Sequence, residues 1–228
     1  MLKLIIFDFD GVIIDAEPLH LRAFQKVLAK MGIQLAREEY YDKYLALDDT
    51  NFFRAVLRDR GKAISNEVIE KLKTQKSAYY ASIIRKGEIT PFPGVIDFIE
   101  NASQSYTLAI GSGALREEIE FILEKLGIRK KFKEIVSAEE VERCKPAPDT
   151  FIEVLNRVNR ELQNPVYPNE CLVIEDSIAG IKAAHSAGMK CLAVANSYPE
   201  SRLKEADIVV NSLEGITPLY LEEFFSRK

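Results

Sequence analysis

The chain reads LIIFDFDGV over residues 4–12, a short apolar run followed by two aspartates that one phenylalanine separates. Leu4–Phe7 contains β-branched residues and is bounded by polar ones, which is typical of a strand that is buried on both faces. Asp8 and Asp10 stand two residues apart, so on an extended backbone their side chains point the same way. The sequence therefore predicts a buried strand that ends in paired carboxylates.

Further apolar runs of this kind follow along the chain, and helical patterns lie between them. The predicted strands are Leu108–Gly111, Glu134–Val136, Leu172–Ile174, Cys191–Val194 and Ile208–Val210. The helical patterns cover Ala114–Leu126, Asp149–Arg160 and Ile178–Ala187, and glycines follow two of them as stop signals. Strands that alternate with helices imply right-handed crossovers. We therefore expect an α/β fold with a doubly wound parallel sheet, that is, a Rossmann-like core.

One interval breaks this alternation, because no second strand is indicated before about Tyr106. Helical patterns fill the interval, for example over Leu19–Met31, Asn51–Arg60 and Asn66–Ile84. Its edges are predicted at Asp15–Pro18 and at Gly87–Gly94, where Thr-Pro-Phe-Pro-Gly is a stiff, helix-breaking segment. We expect an α/β catalytic core formed by residues 1–15 and 88–228, with residues 16–87 inserted after the first strand as a helical cap.

Composition excludes several classes of protein. The 228 residues carry 31 Lys and Arg against 35 Asp and Glu, so no basic surface for nucleic acid or an anionic membrane is expected. No segment approaches the ~20 apolar residues that a membrane helix requires. Three scattered cysteines suit neither a disulfide framework nor a zinc site. We expect a cytoplasmic protein. We also expect a monomer, since no long heptad pattern indicates pairing with a helix of a second chain.

Four of the predicted strands end in residues that carry chemistry. These residues are Asp8 and Asp10, Ser112 and Gly113, Lys145, and Glu175 and Asp176. The carboxyl ends of parallel strands meet at one edge of a sheet, where sites form. Carboxylates buried together need a compensating cation, and one lysine does not balance them. Magnesium, which prefers hard oxygen ligands and substrate phosphate, does so. The alternative interpretation is that these acids only cap helices.

These residues, in this order, resemble the haloacid dehalogenase superfamily, specifically its phosphatase and β-phosphoglucomutase-like branch with a small helical cap. The four matching motifs are Asp8-Phe9-Asp10-Gly11-Val12, Ser112 after an apolar strand, Lys145 in Lys-Pro-Ala-Pro-Asp, and Glu175-Asp176-Ser-x-x-Gly. The resemblance covers nearly the whole chain, and the insertion after the first motif matches the small helical cap of the family.

The resemblance implies a catalytic role for four side chains. Asp8 would be the nucleophile that forms an aspartyl-phosphate. Asp10 would protonate the leaving oxygen and then help water to attack the phosphoenzyme. Ser112 would hold phosphate oxygens, and Lys145 would neutralise charge on the transferring phosphoryl group.

The resemblance also implies a magnesium site and a phosphate-binding turn. The carboxylates of Asp8 and Asp176 and the backbone carbonyl of Asp10 would ligate Mg²⁺, and Glu175 would orient a metal-bound water. Gly11 would let the chain turn close to the phosphate, which backbone amides near Ser112, such as that of Gly113, would hold.

Two cap residues are further candidates for contact with substrate. His20 matches a position beside the hinge where relatives often carry histidine, and a helix-surface role is the alternative. Lys76 falls where some sugar-phosphate mutases of the family place a cap lysine. For Lys76 the preferred interpretation is an exposed lysine on a helix.

The cap loop bears on the reaction type. In β-phosphoglucomutase-like relatives this loop supplies an arginine that holds a second phosphate, whereas Tyr44–Thr50 has no arginine and contains Asp48 and Asp49. Such acids would repel a distal phosphate unless Asp48 merely caps the following helix. The sequence therefore predicts a phosphoric monoester hydrolase, a magnesium-dependent phosphatase that acts on a small, sugar phosphate-like metabolite.

Alternative functions remain open at this point. The first is a hexose phosphate mutase, which shares the first half-reaction. The second is a non-enzymatic phospho-acceptor module, against which the inserted cap argues. A dehalogenase is disfavoured, because it would have no use for Asp10 or for magnesium.

Overall fold

The structure is a computed structural model that describes residues 1–45, 47–62, 65–87, 89–160 and 162–226. The chain divides into two compact units, a larger one formed by residues 1–15 and 89–228 and a helical one formed by residues 16–88. The strands are β1 (Leu4–Phe7), β2 (Thr107–Gly111), β3 (Phe132–Val136), β4 (Cys171–Glu175), β5 (Lys190–Val194) and β6 (Ile208–Val210). The helices are α1 (Glu17–Ala29), α2 (Arg37–Lys43), α3 (Asp49–Asp59), α4 (Asn66–Arg85), α5 (Val95–Ala102), α6 (Arg116–Lys125), α7 (Asp149–Arg160), α8 (Ile178–Ser186) and α9 (Pro218–Ser226).

The larger unit is built on a parallel sheet with strand order β3-β2-β1-β4-β5-β6. This is the doubly wound, Rossmann-like order, so the predicted fold class is confirmed. In the register of the central strand, Phe7 pairs with Ile110 on β2 and with Ile174 on β4. The carboxyl ends of these three strands are therefore level with one another, and the residues that follow them meet at one edge of the sheet.

Burial explains why β1 consists of apolar residues throughout. All four residues of β1 are completely buried, and Leu4 and Ile6 belong to a core that includes Phe151 of α7 and Ile181 of α8. A strand that is covered on both faces needs apolar side chains at every position, rather than at alternate ones. This requirement is the reason that the short apolar runs predict the strands well.

The helical unit has an apolar core of its own. Its largest members are aromatic: Phe24 of α1 stacks on Phe52 of α3 with ring centroids 3.7 Å apart, and Phe53 meets Phe24 edge to face at 5.4 Å. Val56 and Leu57 complete the buried face of α3. The predicted insertion comprises residues 16–87 and the compact unit comprises residues 16–88, with Glu88 itself outside the described residues.

Among the helices of the described residues, none combines the length and the apolar character that crossing a bilayer requires.

An ion cluster links α6 and α7 to the segment after β3. Glu140 accepts hydrogen bonds from Arg116 on α6 and from Arg157 on α7, at 2.9 and 2.7 Å. The hydroxyl of Ser137 donates a third at 2.7 Å. Burial by itself would raise the pKa of Glu140, but these donors outweigh it and lower the pKa to about 2. The cluster therefore favours the ionised carboxylate in the folded protein.

We expect the hydrogen bonds of ionised Glu140 to stabilise the fold less at acidic pH. Because the pKa of Glu140 falls from 4.5 to about 2 on folding, its contribution is complete above 4.5 and disappears as the pH drops through 2. Glu140→Gln should therefore destabilise the protein by roughly 1–2 kcal/mol near neutral pH and by less in acid, after allowance for solvent screening. Urea unfolding against pH measures this, with the exposed Glu124→Gln as control. A deficit that does not shrink between pH 4.5 and 2 would contradict the assignment.

Candidate active site at the carboxyl edge of the sheet

Asp8 continues β1 into a buried cluster of charges. Its backbone N–H donates to the carbonyl of Ile174 at 2.9 Å, which extends the pairing with β4 by one residue. Lys145, from the loop after β3, places its Nζ 2.9 Å from Oδ1 of Asp8 and 2.6 Å from Oε1 of Glu175. The three side chains are 12%, 12% and 0% exposed. The structure thus brings together predicted residues from three different segments of the chain.

Glu175 is held on both of its carboxylate oxygens. Oε1 binds Lys145, while Oε2 accepts hydrogen bonds from the backbone N–H groups of Asp176 and Ser177 and from the Ser177 hydroxyl, at 2.9–3.0 Å. Ser177 is also the N-cap of α8, and its Oγ accepts from the N–H of Gly180 at 3.0 Å. Glu175 is therefore a fixed anion that orients Lys145 and the start of α8.

Burial and crowding determine the protonation behaviour of the cluster. Burial, reinforced by the charge of Glu175, raises the pKa of Asp8 to about 6 although Lys145 opposes the shift. The pKa of Asp176 is raised well above its ordinary value by burial and by the neighbouring charges of Glu175 and Asp8. Burial alone would lower the pKa of Lys145, but Asp8 and Glu175 outweigh burial and raise it. Lys145 is thus cationic, but its single positive charge does not compensate the neighbouring carboxylates.

The donor set fits a hard divalent cation. Asp8, Glu175 and Asp176 each offer a carboxylate oxygen, and these atoms all lie within 4.8 Å of one another. Glu175 already uses both of its oxygens in hydrogen bonds, which leaves Asp8 and Asp176 as the carboxylates suited to direct ligation. Oxygen donors of this kind are those that Mg²⁺ takes, and its charge would compensate the raised pKa values. The residues present therefore match a magnesium site.

The turn after β1 explains why residue 11 is glycine. Gly11 has a φ of 82°, a conformation that side chains rarely adopt. A Cβ atom on Gly11 would also lie 2.0 Å from Oδ2 of Asp176. Asp10 forms a backbone bridge with Ile14 across the same turn. The backbone of this turn thus lies directly against the carboxylate of Asp176.

Ser112 and Gly113 follow β2 at the same edge. The N–H of Ser112 donates to the carbonyl of Val136 at 2.9 Å, and its Oγ accepts from the N–H of Ala114 at 3.2 Å. Ser112 is buried, whereas Gly113 is exposed, with open space where a Cβ atom would be. A small hydroxyl and an open backbone at a strand end are suited to bind an anion.

Two residues at this edge were not predicted from the sequence. Asn196 follows β5, and its Nδ2 donates to the carbonyl of Gly11 at 2.7 Å. The adjacent Ser197 forms a hydrogen bond with the carboxylate of Asp176. The signal was present, because β5 is parallel to β4 and its carboxyl end must lie at the same edge. Polar residues after the fifth predicted strand, like those after the first four, therefore belong to this edge of the sheet.

Lys76 lies in the helical unit, and its preferred interpretation as an exposed helical lysine is wrong. Its side chain is 6% exposed and pairs with Oδ1 of Asp49 at 2.9 Å. Its Nζ also lies 4.8 Å from the centre of the Phe24 ring and 5.3 Å from that of Tyr80. The long alkyl chain packs among aromatic residues, while Asp49, 27 residues away in sequence, neutralises its charge.

The remaining cap candidates are placed as follows. His20 is half-buried and stacks on Tyr80, with ring centroids 4.2 Å apart and an interplanar angle of 6°. Asp48 is the N-cap of α3, and its side chain accepts from the N–H groups of Thr50 and Asn51, as the alternative interpretation of this residue requires. Ala46, part of the cap loop Tyr44–Thr50, lies outside the described residues.

Gly180 supplies a sharp test of the packing around Glu175. A Cβ atom on Gly180 would lie 1.7 Å from Oε1 of the completely buried Glu175, so one of the two must move. Gly180→Ala should lower the free energy of unfolding by about 3 kcal/mol, even though alanine is the better helix former. Urea denaturation measures the loss. Gly113→Ala, where the added methyl group meets open space, is the matched control and should change stability little. Equal effects of the two variants would refute this account.

Comparison with known proteins agrees with the fold. A sequence model of the haloacid dehalogenase-like hydrolases matches residues 5–194. Fructose-1-phosphate phosphatase YqaB of Escherichia coli is 31% identical over 195 residues, which cover 83% of this chain and 95% of that protein. This chain therefore belongs to the haloacid dehalogenase-like hydrolase family, and the predicted class, a hydrolase of the phosphatase and mutase branch, is confirmed.

Solved structures show the same similarity. The crystal structure of CbbY from Rhodobacter sphaeroides in complex with phosphate has a TM-score of 0.81 at 25% identity, and the match covers 97% of this chain and 100% of that one. β-Phosphoglucomutase from Clostridium difficile has a TM-score of 0.79 at 28% identity, with coverage of 99% and 97%. The relatives thus include a protein named as a phosphatase and one named as a mutase.

Proposed function

We propose that this protein is a magnesium-dependent phosphatase that hydrolyses a small, sugar phosphate-like metabolite through an aspartyl-phosphate on Asp8. The observation that carries the proposal is the buried contact of Asp8 with Lys145, beside the carboxylates of Glu175 and Asp176. Lys145, with its Nζ 2.9 Å from Oδ1 of Asp8, favours the ionised carboxylate that acts as the nucleophile. The relative named fructose-1-phosphate phosphatase supports the substrate class.

In the first step, a carboxylate oxygen of Asp8 attacks phosphorus and the bond from phosphorus to the ester oxygen breaks. The carboxyl group of Asp10 donates its proton to the departing alkoxide, which leaves as the alcohol. Lys145 lies 2.9 Å from Oδ1 of Asp8 and stabilises negative charge on the transferring phosphoryl group. Ser112 and the backbone of Gly113 hold its peripheral oxygens.

In the second step, water attacks the phosphorus atom of the aspartyl-phosphate. The carboxylate of Asp10 accepts a proton from this water, the bond from phosphorus to Asp8 breaks, and inorganic phosphate is released. The carboxylates of Asp8 and Asp176 and the backbone carbonyl of Asp10 would hold Mg²⁺, which would supply charge compensation for the phosphoryl oxygens. Glu175, with both oxygens hydrogen-bonded, holds Lys145 in position throughout.

Hydrolysis is preferred over the alternative, a hexose phosphate mutase, because of the charges in the helical unit. Asp48 caps the start of α3 and Asp49 pairs with Lys76, so neither carboxylate is a free charge that would repel a distal phosphate. Instead, Asp49 already pairs with Lys76, one of the cap cations that a second phosphate could use. A bisphosphate intermediate requires positive charge at both of its ends. The ion pair of Lys76 with Asp49 removes one source of that positive charge.

We also propose that the helical unit acts as the cap and selects the substrate, with His20 and Lys76 contributing to that choice. Lys76 would then act through its fixed pair with Asp49 rather than as a mobile surface cation. A monomeric state and a cytoplasmic location belong to the same proposal.

The test is a panel of phosphate esters assayed with Mg²⁺ and with chelator. We expect release of inorganic phosphate that depends on Mg²⁺, and a higher melting temperature in Mg²⁺ that Asp176→Ala abolishes. Glucose 1-phosphate with a trace of bisphosphate separates the alternatives, because a mutase yields glucose 6-phosphate instead of phosphate. Full turnover in excess chelator would exclude the magnesium assignment, and failure to hydrolyse any ester would exclude the phosphatase.

A further inference from the structure

The turn that carries Asp10 is shaped by its own backbone. The carbonyl of Phe9 accepts from the N–H of Ile13 at 2.8 Å, and the N–H of Gly11 donates to the carbonyl of Ile14 at 3.0 Å. The far side of the turn is fixed by a backbone bond from Phe92 to Ile13 at 3.1 Å. These bonds engage the N–H of Gly11, but they leave its carbonyl oxygen to a partner from outside the turn.

Asn196 supplies that connection from the other half of the sheet. The N–H of Ala195 donates to the carbonyl of Val210 at 2.8 Å, which extends the pairing of β5 with β6 and fixes the backbone at this point. From there the side chain of Asn196 donates through Nδ2 to the carbonyl of Gly11 at 2.7 Å, across 185 residues of sequence. A short bond from a fixed backbone leaves the acceptor carbonyl little freedom to rotate.

Gly11 is also constrained on its other side. Its Cα lies so close to Asp176 that an added Cβ atom would be 2.0 Å from Oδ2. Ser197, the residue after Asn196, holds that same carboxylate by a hydrogen bond. The loop after β5 therefore restrains both the peptide group after Gly11 and the carboxylate packed against it.

We infer that Asn196 is a positioning residue, which holds the Gly11 carbonyl and thereby aims the carboxyl group of Asp10 at the leaving oxygen. Asp10 directly precedes Gly11 in the same turn, so a shift of the Gly11 peptide displaces the backbone segment that carries the Asp10 side chain. This inference rests on the proposed function, in which Asp10 is the general acid. A displacement of about 1 Å at a catalytic group is enough to cost up to about 100-fold in rate.

A comparison of leaving groups tests this role in the full-length protein with Mg²⁺. A sugar phosphate must have its alkoxide protonated, whereas p-nitrophenolate departs without a proton, so loss of a general acid affects the first ester more. In Asn196→Ala we expect kcat/KM for the fastest sugar phosphate of the panel to fall about 10-fold or more, and kcat/KM for p-nitrophenyl phosphate to change by less than about 3-fold. Asn196→Gln, which keeps an amide donor, should recover part of the loss.

Asn211→Ala is the matched control, because Asn211 lines the same small cavity as Asn196 and is exposed. It should leave the ratio of the two kcat/KM values at the wild-type level. An equal fall for both esters in Asn196→Ala, or no fall in either, overturns the inference while leaving the phosphatase intact. A wild-type protein that hydrolyses neither ester removes the proposed function, and the inference with it.

Discussion

Asp8→Asn should abolish turnover and leave the fold intact. Phosphoryl transfer to residue 8 needs a carboxylate oxygen that can form a bond to phosphorus, and an amide does not provide one. The loss of a covalent nucleophile costs about 10⁴-fold or more in kcat. The fold should survive because the change removes one charge from a crowded set of carboxylates, with raised pKa values at Asp8 and Asp176. Steady-state assays and acid-quench trapping of radiolabelled phosphoenzyme measure the effect.

The matched control for this experiment is Asp97→Asn. Asp97 is exposed on the first turn of α5, so the same change of charge there should leave kcat within about twofold of the wild type. Appreciable turnover by a folded Asp8→Asn protein, or a trapped phosphoenzyme that survives the substitution, would show that another residue is the nucleophile.

Lys145→Met should have the second largest effect, and on stability as well as rate. The substitution leaves Asp8 and Glu175 buried without the cation that now lies 2.9 and 2.6 Å from them. Removing one partner of a buried ion pair costs about 3–5 kcal/mol of folding free energy. The lost stabilisation of the transferring phosphoryl group should lower kcat by about 10²- to 10³-fold for every ester.

The effect of Mg²⁺ on the stability of Lys145→Met shows whether the loss comes from the missing positive charge or from altered packing. In chelator the full destabilisation should be seen by urea denaturation, and Mg²⁺ should restore part of it by supplying positive charge to the same carboxylates. Lys182→Met, an exposed position on α8, is the control and should be silent in both media. Equal stability of Lys145→Met and wild type in chelator would mean that Lys145 does not compensate the acids.

The sheet could be predicted from the sequence because its strands carry a local signal. β1 and β6 have the predicted bounds, and the other strands extend by one or two residues at their ends. Three helices were not predicted individually, namely α2, α5 and α9. α2 and α5 are short, with seven and eight residues, so they offer few turns over which a helical period can be recognised.

The site was predictable to the extent that strand ends determine it. Asp8, Lys145, Glu175 and Asp176 converge as expected from parallel topology. The burial of Lys76 was not predictable, because it depends on Asp49 and on aromatic rings that come from other helices. No local pattern distinguishes a lysine that will be paired in a core from one that will face solvent.

The order in which the strands are synthesised has a consequence for how the nucleophile reaches its position. Leu4 of β1 pairs with Thr107 on one side and with Cys171 on the other, so the central strand leaves the ribosome long before either neighbour. At ordinary rates of translation this interval lasts on the order of ten seconds. The helical unit, whose core lies within residues 16–88, has all its contacts available before β2 has emerged. During synthesis β1 therefore remains an unpaired apolar segment for nascent-chain chaperones to shield. The backbone bond from Asp8 to Ile174 forms only once β4 has emerged.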